Sequence, residues 1–131
     1  MREIKFRVLI DHLFKSLRRI AHFESLKAID FIEQSVTIKV DGEIFKFHFS
    51  EVKFLNYTGI KDKNGREIYE GDIVEQLSER TYKSAKGTVK FMDGSYVIEF
   101  LSGDDGVFLF DEVAYNEVLG NVYENPTLLK L

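Results

Sequence analysis

The side chains in this chain numerous enough to do chemistry are its carboxylates: 22 Asp and Glu stand against 18 Lys and Arg, with three His and no Cys. Asp104, Asp105, Asp111 and Glu112 lie in one acidic stretch, and hard cations such as magnesium or calcium take oxygen ligands of that kind. An acidic turn between strands is more simply a solvated loop, so no metal site is expected. Asp62-Lys63-Asn64-Gly65 begins like a calcium loop, but the sixth position, which that loop needs as Gly, is Glu67. Glu70 and Asp72 are the pair an acid–base reaction would use. An Asp directly after Gly71, however, ordinarily braces a turn by accepting its amide hydrogens. His12, His22 and His48 are scattered, without the i, i+4 spacing of a zinc site or a paired carboxylate. No phosphate-binding loop, nucleophile elbow or dinucleotide fingerprint is present. The absence of Cys removes disulfides, thiolate metal sites and a cysteine nucleophile. The chain is therefore read as a non-enzyme with no cofactor and no evident small-molecule substrate.

Binding is the chemistry that remains. Residues 1–30 carry seven Lys or Arg against four acids, whereas residues 91–131 carry Lys130 against eight acids. A polarity of that kind steers partners or aligns copies head to tail, and its plainer use is to keep a small protein soluble. Arg18 and Arg19, with Arg2, Lys5, Arg7, Lys15 and Lys27 interleaved by Phe6, Phe14 and Phe23, form the candidate nucleic-acid surface. Phe54, Tyr57 and Tyr69 are the candidate aromatic patch for a protein partner or a second copy. The same tyrosines would stack bases if a cluster of Lys or Arg framed them, and no such cluster does; packing over a barrel end is the plainer alternative. Protein binding or self-association is accordingly placed first and nucleic acid second.

The elements that must position these residues read as β-structure. At 131 residues, 44% hydrophobic and 14% aromatic, the chain has the length of one domain or of two small lobes with a self-sufficient core. No apolar run approaches the roughly 20 residues that span a bilayer and no leader is apparent, so a cytoplasmic location without membrane insertion is expected. Apolar alternation flanks Asx-Gly pairs. An Asp41-Gly42 turn sets Ile38 opposite Phe45 and Val36 opposite Phe47; an Asp93-Gly94 turn sets Phe91 opposite Tyr96 and Val89 opposite Ile98. Each register yields one apolar face. Asn64-Gly65 as a third two-residue turn would set Ile60 opposite Tyr69, with the charged residues between them on an arm projecting into solvent. Further strands are expected at 4–9, 51–57, 72–77, 107–110 and 118–123. From Asp11 to Phe31 the apolar residues Leu13, Leu17, Ile20, Phe23 and Leu26 fall near helical spacing, although strands fit as well.

Two blocks carry a resemblance. One runs Tyr57-Thr58-Gly59, then Asp62, Asn64 and Gly65, then Tyr69-Glu70-Gly71-Asp72 before an apolar strand; the other is Gly120-Asn121 followed by Asn125-Pro126. Together with the Arg2-to-Arg7 opening, the chain resembles the YopX family of small phage and prophage proteins. The resemblance favours strands over a helix in 11–31. It implies an accessory role during phage growth in a bacterial cell, with no assigned reaction. The expected fold is mainly β: an N-terminal meander in 1–56 and an SH3-like small barrel in 57–131, with room for one short helix. After Arg7 the sequence departs from the family pattern, with Val8-Leu9-Ile10 where a tryptophan and a lysine-rich turn are common.

Overall fold

The computed structural model describes residues 4–12, 17–101 and 105–129, with the side chains of His12, Leu17 and Arg18 outside that description. Its described elements are twelve strands and three short 3₁₀ turns, so the chain is mainly β. No helix among the described residues is long and apolar enough to cross a membrane. The chain groups into two compact units, Ile4–Asn56 and a unit containing Tyr57–Leu131.

In the first unit, β1 (Phe6–His12) pairs antiparallel with β2 (Leu17–Ala21) and with the opening of β6 (Val52–Lys61), setting Phe6 opposite Asn56. β3 (Leu26–Asp30), β4 (Ser35–Val40) and β5 (Glu43–His48) form a three-stranded meander. The 11–31 stretch is thus strand, a 3₁₀ turn at Phe23–Ser25, and strand again, where it is described. Its near-helical spacing loses to the ladder bonds and to a core that needs alternation. Asp41 and Gly42 take φ of 50° and 83°, the geometry of a type I′ turn, and the register matches the expected one, Ile38 against Phe45 and Val36 against Phe47. Val8, Ile10, Val36, Ile38, Val40 and Phe47 bury into one core, edged by Phe6, Phe45 and Phe54.

In the second unit, the latter part of β6 pairs with the short β7 (Glu67–Tyr69). The larger sheet runs in the order β11-β10-β9-β8-β12, built from β8 (Asp72–Ser78), β9 (Ser84–Met92), β10 (Ser95–Phe100), β11 (Gly106–Phe108) and β12 (Ala114–Asn121). It curls into a half-barrel around Ile68, Val74, Val89, Ile98 and Leu109. Asp93-Gly94 turns as expected, with φ of 51° and 84°, setting Phe91 opposite Tyr96 and Val89 opposite Ile98.

The third turn differs from its expected form. Lys61 faces Glu67 and Tyr57 faces Tyr69, with a bulge between them, so Ile60 is not the partner of Tyr69. The connection runs from Asp62 to Arg66 rather than through two residues, because the Asp62 carboxylate accepts the amides of Asn64 (2.9 Å) and Arg66 (2.8 Å) and widens the turn. Nor is the loop a free arm: the other Asp62 oxygen accepts from Val118 N at 3.0 Å, and Lys63 N donates to Asn116 O at 2.9 Å.

Candidate functional site

The motif residues assemble into three side-chain-to-backbone brackets within the second unit. In the first, Gly59 takes φ of 84° inside the β6 bulge while the Thr58 hydroxyl donates to Ile68 O at 2.8 Å, tying the interrupted ladder to β7. In the second, Asp62 is 7% exposed and accepts from Asn64, Arg66 and Val118. Burial pushes its carboxyl up, and the Val118, Arg66 and Asn64 amides together with the Arg66 charge outweigh burial, so its pKa lies below the ordinary carboxylate value. In the third, Asp72 is 1% exposed and accepts from Tyr69 N at 2.8 Å across the Gly71 turn. Gly71 sits at φ 86°, and a Cβ there would stand 2.7 Å from the Tyr123 ring. These contacts use the two buried Asp carboxylates to hold backbone in place.

The terminal block works the same way. The Asn121 side chain accepts from Tyr123 N and Glu124 N and donates to Glu124, while Asn125 Oδ1 reaches back to Asn121 N at 3.2 Å. A Cβ at Gly120 would stand 2.6 Å from Asn125 Oδ1, which is why that position carries no side chain. Pro126 opens the 3₁₀ turn that follows.

The expected aromatic patch requires correction. Tyr57 and Tyr69 are 8% and 4% exposed, their rings tilted against each other with centroids 5.4 Å apart, because facing positions of a short ladder bury both. Phe54 is half-buried, edge-on to Phe6 and Phe49. None of the three is an exposed platform. Of the basic pair, the Arg19 guanidinium is held by Asp41 at 2.8 Å; the Arg18 side chain, like Arg2, Phe14 and Lys15, lies outside the described residues. His48 caps the 3₁₀ turn Phe49–Glu51, its Nδ1 accepting from Ser50 N. Among the described residues no group of three or more His, Asp or Glu could hold a metal ion. Asp105 and Asp111 accept the amides of Gly106 and Val113 in their turns, and Asp104 lies outside the described residues.

Two features carried no sequence signal. Gln76, 6% exposed, faces Asn116 across the β8–β12 ladder and donates to Phe108 O, Leu109 O and Asn116 Oδ1, while Asn116 Nδ2 donates to Leu109 O. This amide pair, together with Leu109 N donating to Tyr96 O at 3.1 Å, holds the chain leaving β11. The second feature is a groove of about 470 Å³ on β9–β11, lined by residues including Met92, Asp93, Val97, Glu99, Asp105 and Phe108. Alternation explains its floor: Val89 and Ile98 point into the core, so Val97 and its partner Phe108 lie on the opposite face.

A family model described as YopX protein matches residues 14–130. The chain belongs to the YopX family. Protein yopX from Bacillus subtilis is similar in fold, with a TM-score of 0.66 at 22% identity over 99% of this chain and 100% of that one. Protein EF1440 from Enterococcus faecalis gives a TM-score of 0.61 at 22% identity, again over 99% and 100% of the two chains. No curated protein matches the chain. No catalytic activity is known for the family, and the described residues of this YopX protein give no positive sign of one.

Proposed function

We propose that this YopX protein is a non-catalytic interaction module serving phage growth in the cytoplasm of a bacterial host, and that its second unit is an SH3-like small barrel. The strand order β11-β10-β9-β8-β12 supports the barrel reading, since the last strand returns to pair with the first of a four-stranded meander. One observation carries the functional reading: in the second unit Phe91, Met92, Leu101, Phe108 and Phe110 are each between 45% and 67% exposed. Of these, Met92 and Phe108 line one groove with Val97, and exposed apolar side chains lining a groove mark a surface that a partner covers. Arg19 spends its charge on Asp41, which leaves nucleic acid as the less favoured partner.

The test is affinity capture from infected cells with the native chain and a Phe108→Ser, Phe110→Ser variant, each with and without nuclease. Protein recovered with the native chain, resistant to nuclease and lost from the variant supports the reading. Equal recovery by both chains, or recovery that nuclease abolishes, overturns it.

A further inference from the structure

Resting on that reading, we propose that the groove on the outer face of β9–β11 is the binding site, and that it takes a partner segment in which an aliphatic side chain is flanked by lysine or arginine. Three observations select this occupant. Met92, Val97 and Phe108 are apolar residues of the lining, with Val97 paired to Phe108 on one side and to Lys90 on the other, and at about 470 Å³ the groove falls within the size range of side-chain and ligand pockets.

The rim is acidic and partly unsatisfied. Lys90 reaches Glu99 at 2.6 Å, but Asp93 and Asp105 form no ion pair among the described residues while lining the same groove. Both belong to the stretch of residues 91–131, which carries eight acids against one Lys. An incoming cation would meet a field that accelerates its arrival and that salt would screen.

Binding by strand addition at the β11 edge is disfavoured. Asp105 O accepts from Phe100 N and Leu109 N donates to Tyr96 O, so the residues between alternate in direction and the backbone groups of Gly106 and Phe108 point away from β10. Gly106 N is already bonded to Asp105 Oδ1, and Phe108 O to Gln76. The occupant is therefore read through its side chains.

The probe is an acetylated, amidated pentapeptide alternating lysine with leucine, titrated at low salt into the isotope-labelled full chain while the backbone amides are followed by NMR. Its counterpart carries glutamate for lysine. The lysine peptide should move the amides of Val97, Gly106 and Phe108, and the glutamate peptide should not. Asp93→Asn with Asp105→Asn should weaken binding about fivefold, the sum of two exposed charge interactions. Both changes keep the turn geometry, since Asn tolerates the positive φ of Asp93 and retains the oxygen that Gly106 needs. Phe108→Ala should weaken it about tenfold through lost apolar contact, whereas Tyr82→Asn, at an exposed residue outside the groove lining, should leave it unchanged; the spectra themselves report whether each variant is folded. Equal binding of the glutamate peptide, shifts centred elsewhere, or no shifts at millimolar peptide overturn the proposal, as does concentration-dependent broadening of the groove amides without peptide, which would make a second copy the occupant. Should the groove fail while infected-cell capture still depends on Phe108 and Phe110, the interaction reading stands without this ligand chemistry.

Discussion

The two units solve one problem by different means. In the first, the core is aliphatic and aromatic, and Ser35 is its buried polar residue among those described; Phe6 meets Phe23 and Phe54 edge-on, and Phe49 meets Phe54. In the second, Thr58, Asp62, Asp72, Gln76 and Asn121 are all buried. The difference follows from strand length and connection. The β4–β5 hairpin closes through a two-residue turn, so its ladder uses backbone groups without help. β7 and β11 have three residues each, and the β6–β7 register is broken by a bulge. The amides and carbonyls left over must find partners, and side-chain oxygens and amides supply them. The family motif consequently reads as a set of backbone brackets.

The largest expected effect belongs to the first unit. Phe47→Ala removes a 1% exposed ring from the core and should cost about 3–5 kcal/mol in denaturant unfolding, with amide protection lost first in β4 and β5. A cost confined to about 1 kcal/mol would mean that the core there is loosely packed.

Asp62→Ala should cost about 2–3 kcal/mol by leaving the amides of Asn64, Arg66 and Val118 without their acceptor. Exchange should quicken at Arg66 and Val118 but not in the first unit. Because the folded-state pKa of Asp62 is lowered, its contribution is present above the unfolded value of about 3.9 and fades as pH falls through the folded one. Asp62→Asn should flatten that acid limb in a stability–pH series; an unchanged limb would assign acid sensitivity elsewhere.

A smaller loss is expected at Gly71. Gly71→Ala should cost about 1–2 kcal/mol for the left-handed backbone alone, and more because the new methyl would meet the Tyr123 ring. Combining it with Tyr123→Ala should recover the steric part, so strictly additive losses would show that the ring yields freely. Smallest are the surface ion pairs, tested at one in each unit: Arg19→Ala and Lys90→Ala should each shift stability by under about 1 kcal/mol. A large effect at either would displace the contrast between apolar packing and buried brackets from its leading place.

The hairpins at Asp41-Gly42 and Asp93-Gly94 were legible because everything that specifies them is local: two residues able to adopt positive φ and apolar residues at matching distances on either side. The Asn64-Gly65 turn was misread because Asp62 competes for the same amides, and its second oxygen bonds Val118, far along the chain. For Gln76 and Asn116 there was no signal to read, since an amide within a strand looks like a solvent-facing residue until a carbonyl arrives opposite it. The exposed patch fails at the tyrosines for a related reason, while their burial agrees with the packing alternative. Their burial depends on which residues face them, and the bulge after Tyr57 changes that register.

Local chemistry, then, determined the β character, two of the turns and the family motif, because backbone preference and period-two alternation act over a few residues. Tertiary structure decided that the motif's carboxylates brace amides, that its tyrosines are covered, and that Val97 and Phe108 share one groove with Asp93 and Asp105, which form no ion pair among the described residues. Those outcomes depend on pairings between distant strands, and burial and directional hydrogen bonds take their partners from the fold.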